Sequence, residues 1–144
     1  MTAESAGVSS VDVRVRYAET DQMGVAHHAN YLVWCEVGRT HHMEQLGVRY
    51  RDLEARGVRL PVVAAALRYR AAARYDDVLE VRCWVRNAGS RSVEFGNAIV
   101  RNEDGANLAT ATITLIAVDS RHATTRIPDD IRALMVPVPD PVRL

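Results

Sequence analysis

The chain has 144 residues, 48% of them hydrophobic and 25% charged, which describes one soluble globular domain able to bury about 70% of its unfolded surface. Its 18 basic residues balance 18 acidic ones, so net charge offers no argument for a nucleic-acid or membrane-surface partner. Every basic residue is Arg and none is Lys, which excludes a Schiff-base lysine and a lysine-dependent phosphate loop.

In chain order, the first ten residues, MTAESAGVSS, carry neither a basic start nor an apolar run. They are expected to be a flexible tail rather than a secretory leader, with the cytoplasm as compartment. Val11, Val13, Val15 and Tyr17 alternate with Asp12, Arg14 and Arg16, the period of a half-buried strand. A polar loop holding Asp21 and Gly24 follows. It feeds a helix expected from His28 or Asn30 to Leu46, with Asn30 as N-cap and Gly47 as the left-handed stop. Tyr31, Leu32, Val33, Trp34, Cys35 and Val37 leave this helix without a strong polar face, which predicts burial round most of its circumference. No apolar run approaches the roughly 18 residues of a membrane span.

Residues 50–56 read as a short amphipathic helix ended by Gly57. Strands are expected over 62–71, 79–86, 93–99 and 108–118, separated by the turns Tyr75-Asp76-Asp77, Asn87-Ala88-Gly89-Ser90 and Asn102-Glu103-Asp104-Gly105. In the last strand Ala109, Ala111, Ile113, Leu115 and Ala117 share one face, with Thr110, Thr112 and Thr114 on the other. Residues 128–135 fit a closing helix with Pro128 in its first turn, and the Pro-rich 137–144 is expected to be a loose tail. Cys35 and Cys83 lie in apolar runs outside any CxxC pair and are expected as buried thiols. One helix followed by antiparallel strands is an α+β domain, here residues 11–136. A long central helix of this kind calls for a curled sheet around it.

The stretch Tyr17-Ala-Glu-Thr-Asp21-Gln-Met-Gly24-Val-Ala-His27-His28-Ala-Asn30-Tyr31-Leu-Val-Trp34-Cys-Glu36 resembles the signature of the hotdog-fold thioesterases. More narrowly, it is similar to the 4-hydroxybenzoyl-CoA thioesterase and Tol–Pal-associated group. The element order fits that fold from about residue 11 to 135. The resemblance implies a homodimer or homotetramer whose sheets join edge to edge, with the active site at the subunit interface. It implies an acyl-CoA or acyl carrier protein thioester as substrate. It implies Asp21 as the catalytic carboxylate, the backbone N–H at His28 as the group polarising the carbonyl, and Tyr17 as a third participant. Gly24, His27, Asn30, Tyr31 and Trp34 would then border the substrate. His27 departs from the aromatic that many relatives carry there, which bears on the shape of the acyl pocket.

The chemistry is consistent with that assignment. Thiolate leaves readily, so one carboxylate and one oxyanion site suffice for a thioester. Asp21 either attacks the carbonyl directly or activates water. The helix start near His28 offers unpaired N–H groups and the positive end of the dipole. Tyr17, Tyr31 and Trp34 serve equally well as core aromatics. Phosphates of a carrier would fall to Arg, with Arg91 beside a hairpin turn the first candidate and Arg68 and Arg70 the next. His27, His28, His41 and His42 lack HExxH spacing, and adjacent helical His residues diverge by about 100°, so no metal and no cofactor is expected. The alternatives are a hotdog dehydratase or hydratase acting on acyl thioesters, and a non-catalytic acyl-CoA-binding module.

Overall fold

The computed structural model describes residues 6–144. The elements are β1 (Val8–Arg14), a 3-10 turn (Tyr17–Glu19), α1 (Asn30–Gln45), α2 (Tyr50–Ala55), β2 (Val62–Tyr69), β3 (Val78–Ala88), β4 (Ser92–Arg101), β5 (Asn107–Ile116) and α3 (Asp129–Leu134). The five strands form one sheet in the order β1-β3-β4-β5-β2, with every neighbouring pair antiparallel. Tight turns join β3, β4 and β5 into a central meander. The strand before α1 and the strand after α2 are placed at opposite edges. This is the expected α+β hotdog architecture. No helix among the described residues is long and apolar enough to cross a membrane.

Alternation selects the face that receives α1. Leu79, Val81, Cys83 and Val85 of β3 and Val93, Phe95 and Ile99 of β4 are buried in the main core. α1 packs on β1, β3 and β4 through Tyr31, Trp34, Cys35, Gly38, Arg39, His42 and Met43, the three- and four-residue spacing of a single helical face. Gly38 allows the close approach: a Cβ there would lie 2.7 Å from Val81 Cγ1. Gly47 and Gly57 both have positive φ, as expected of stops after α1 and α2. Both cysteines are buried and unpaired, and burial pushes the Cys35 thiol up to about 12.

Three expectations change. First, α1 is buried on one stripe rather than round most of its circumference. Leu32, Val33 and Val37 are 43%, 51% and 39% exposed, because the helix packs on β1, β3 and β4 and, among the described residues, β2 stays exposed at every position but Leu67. Second, the first strand starts at Val8, so Val8–Ser10 of the expected tail pair with Trp84, Cys83 and Arg82. The strand ends at Arg14, and Tyr17 falls in the 3-10 turn. Third, the Pro-rich end is packed. Val138, Val142 and Leu144 lie against Val8, Trp84 and Ala98, and the Val138 N–H donates to the Val85 carbonyl at 3.0 Å. Trp84 points outward beside Gly96, whose missing side chain makes room for its ring, and the tail covers the resulting apolar patch.

Candidate active site

The loop between the 3-10 turn and α1 is tied down by Glu19. Its side chain folds inward and is 5% exposed. One carboxylate oxygen accepts the Arg16 N–H at 2.7 Å and the other accepts Trp34 Nε1–H at 3.2 Å. Its carbonyl accepts the His27 N–H at 2.7 Å and Asn30 Nδ2 at 2.9 Å. Both ends of the loop are thus held to the start of α1.

Within the loop, the Asp21 N–H donates to the Val25 carbonyl at 2.9 Å and the Gly24 N–H to the Asp21 carbonyl at 3.0 Å. Gly24 has φ +80°, a conformation glycine adopts without steric cost. Asp21 Oδ1 accepts the Met23 N–H at 2.9 Å. Among the described residues Asp21 Oδ2 has no hydrogen-bond partner, and Asp21 lines a cleft of about 330 Å³ together with Met23, His28, Tyr31, Tyr69 and Arg70.

His28 precedes Ala29, the residue that caps α1. The Ala29 N–H is taken by His27 Nδ1 at 3.3 Å. The His28 N–H finds no acceptor among the described residues, and it lies at the positive end of the helix dipole. The His28 carbonyl accepts the Tyr69 hydroxyl at 3.1 Å. Tyr69 stands edge-on to Tyr31 with ring centroids 5.0 Å apart, and Tyr31 OH accepts the Ala73 N–H at 3.0 Å. Desolvation, then Tyr31, holds the Tyr69 phenol above its ordinary pKa. Asp21, His28 and the aromatic residues Tyr31 and Tyr69 therefore line one cleft.

The other expected site residues are placed differently. Gly24 closes the Asp21 turn without lining the cleft. His27 stacks on His28 at 4.4 Å. Asn30 is no N-cap: it is the first helical residue, and its amide donates to the Glu19 and His27 carbonyls, because the loop folds carbonyls rather than N–H groups over it. Trp34 lies in the core beneath the loop. Tyr17 is 77% exposed and stands edge-on to Tyr75, outside the cleft lining. Arg91 lies at the far end of the sheet, where its carbonyl accepts the Ala117 N–H at 2.8 Å. β2 has eight residues, and at about 3.3 Å per residue this end is about 23 Å from the Tyr69 end. Arg68 sits across from Thr110. His42 is remote from His27 and His28, its Nδ1 2.7 Å from Ser9 Oγ.

Sequence reasoning passed over Glu19 and Tyr69 and ranked Arg70 low. An acidic residue two positions before another is an ordinary loop pattern. Tyr69 showed itself only as the last alternating residue of its strand.

Residues 15–135 match the model of the thioesterase-like superfamily. The chain is 42% identical over 112 residues to YneP of Bacillus subtilis strain 168, covering 78% of this chain and 80% of that protein. It is 33% identical over 107 residues to the acyl-CoA thioester hydrolase YbgC of Escherichia coli O157:H7, covering 74% and 79%. Among solved structures, the DHNA-CoA thioesterase of Staphylococcus aureus superposes with a TM-score of 0.80 at 30% identity, covering 83% of this chain and 80% of that one. With the family match spanning the acidic loop, the helix and the whole meander, the chain belongs to the thioesterase-like superfamily and is a hotdog-fold thioester hydrolase.

Proposed function

We propose that this enzyme hydrolyses acyl-CoA thioesters of short or medium chain, or with an aromatic acyl group, using Asp21 and the His28 N–H. The observation that carries the reading is that an unengaged oxygen of Asp21 and the cleft beside an unclaimed helix-start N–H belong to one loop. The carbonyl oxygen accepts the His28 N–H, which stabilises the charge that develops there. One such donor is worth about 2.7–4 kcal/mol of barrier. Asp21 then either attacks the carbon, expelling thiolate and leaving an anhydride that water opens, or takes a proton from the attacking water. Both routes end in free acid and thiol. The aromatic rings of Tyr31 and Tyr69 supply an apolar wall for the acyl group.

The reading includes a second copy of the chain. β2 is a long, exposed, apolar edge, the kind of edge that pairs with another strand. Antiparallel pairing of two such edges about a two-fold axis sets the Val62 end of one copy beside the Tyr69 end of the other. It would carry the Arg91 hairpin of one copy towards the Asp21 cleft of its neighbour, so Arg91 remains a candidate for the carrier's phosphates across the interface.

Asp21→Asn keeps the side chain's size and removes its charge. The expected result is a kcat at least about 10²-fold lower, the lower range for a positioned acid–base group, with little change in KM and in melting temperature. Near-wild-type kcat in a folded variant sinks the assignment. Release of free thiol from acyl-CoA separates hydrolysis from a dehydratase or hydratase, which leaves the thioester intact. Binding without turnover would identify a non-catalytic module.

A further inference from the structure

We propose that Arg70 binds the phosphate-bearing carrier of the thioester, and that the C-terminal segment 137–144 positions its guanidinium for this. The inference rests on the hydrolase reading above for its substrate and goes beyond it in naming the recognising group and what holds it.

Arg70 is the one Arg among the residues lining the Asp21 cleft. Arg14, Arg16, Arg56, Arg82, Arg86 and Arg101 are each committed to a carboxylate. Arg70 has no carboxylate in ion-pair range among the described residues. Among the described residues its one side-chain hydrogen bond runs from Nη2 to the Arg143 carbonyl at 3.0 Å. A guanidinium carries five N–H donors, so most remain available, and their planar geometry suits phosphate oxygens.

The carbonyl that holds Arg70 is itself fixed from a distance. Asp140 accepts Trp84 Nε1–H at 2.9 Å and two donors of Arg86 at 2.9 and 3.1 Å. Val142 and Leu144 pack on the same outer-face cluster as Trp84. The segment therefore runs from the Val85 end of β3 across the outer face to the rim of the cleft. A flexible arginine gains affinity for an anion when its orientation is set beforehand, because less side-chain freedom is lost on binding. A structural tail alone would need only the Trp84 contacts. The bond to Arg70 connects it to the rim of the Asp21 cleft.

The test uses Arg70→Ala, Arg70→Lys and Asp140→Ala in the full chain, with one acyl group on three carriers: CoA, N-acetylcysteamine and the phosphopantetheine of an acyl carrier protein. N-acetylcysteamine has no phosphate. Arg70→Ala is expected to raise KM for a phosphate-bearing carrier by about tenfold, as for one charge-assisted hydrogen bond, with kcat nearly unchanged and no effect on the N-acetylcysteamine thioester. Arg70→Lys should recover part of the loss. Asp140→Ala should raise KM in the same direction and add nothing in the Arg70→Ala background. An effect confined to CoA or to the carrier protein identifies which source of phosphate is used. Equal KM changes on all three carriers overturn the proposal, as does no change on any. A lower melting temperature for Asp140→Ala without a KM change overturns the positioning role. Calorimetric titration with CoA reads the same site without turnover. Tenfold weaker CoA binding by Arg70→Ala supports the assignment even if hydrolysis fails, whereas equal binding overturns it for CoA.

Discussion

Glu19 shows how a carboxylate serves a site without facing it. It is nearly inaccessible and accepts N–H groups from Arg16 and Trp34, fixing the turn from which the Asp21 loop departs. Glu19→Ala would take the acceptor from the Arg16 N–H and leave the buried Trp34 Nε1–H unpaired, the latter at a cost of about 1–3 kcal/mol. The expected outcome is a lower denaturation midpoint by urea unfolding and a fall in kcat, since the loop loses its tether. A variant with unchanged stability would show that the turn holds itself. His42 makes a second prediction at this scale. Burial, then the charge of neighbouring His41, lowers its pKa below the ordinary 6.5, against a smaller raising effect of the Cys83 backbone. The unfolded chain therefore binds a proton more readily than the folded one. The stability His42 contributes is fully present above pH 6.5, the ordinary value, and is lost as pH falls through that value towards the depressed one. The melting temperature should drop between about pH 8 and about pH 5, and His42→Gln, which cannot titrate, should flatten that slope. Equal slopes in the two proteins would remove His42 as the cause.

Two glycines at the scale of elements set how closely the layers pack. In α1, Gly38→Ala gains about 1 kcal/mol of helix propensity. Its Cβ, however, meets Val81 Cγ1 at 2.7 Å, and forcing an extra methyl into a packed core costs about 1–3 kcal/mol. The clash outweighs the propensity, so the substitution should destabilise. Gly96→Ala meets the Trp84 ring, closer still, with no helix propensity to offset it. It should cost more and loosen the C-terminal segment that packs on Trp84. Thermal denaturation of both variants checks the order; a more stable Gly38→Ala would refute the close-approach argument. These contacts also explain what the sequence could convey about elements. Alternation located the strands because it reports one buried face, and Gly47 marked the end of α1 through its backbone. Nothing local to residues 30–45 told which stripe of an apolar helix would meet the sheet.

At the scale of the whole molecule, the described residues leave apolar surface uncovered at the outward Leu32, Val33 and Val37 of α1 and along most of β2. Single exposed apolar residues are ordinary, whereas contiguous ones along an open edge are not. The chain has a mass of 16.0 kDa, and light scattering is expected to give a multiple of it. Ala65→Glu lies near the middle of β2, where two-fold pairing would set the two introduced carboxylates near one another, so it should shift the protein towards monomer. Loss of activity together with dimer, with the circular dichroism spectrum retained, would fit a site completed across the interface. A fully active monomer would refute the shared site.

What is set within a short span of chain was legible in the amino-acid order. That order placed Asp21, Gly24 and His28 in one loop at the start of α1, because turn chemistry and helix-start N–H groups are local properties. It located the strands and short helices to within a few residues, with the first strand the poorest because its tail residues carry little alternation. The rest follows from contacts between distant segments. Putting β2 beyond β5 brings Tyr69 and Arg70 to Asp21 across about fifty residues of sequence, a distance over which no local pattern carries information. The turn between β3 and β4 leaves Arg91 at the opposite end of the sheet. The inward turn of Glu19 depends on Trp34 being beneath it, and the packing of the Pro-rich end depends on Trp84 pointing outward. Each of these is a contact between segments whose sequences are individually ordinary, and folding alone brings them together.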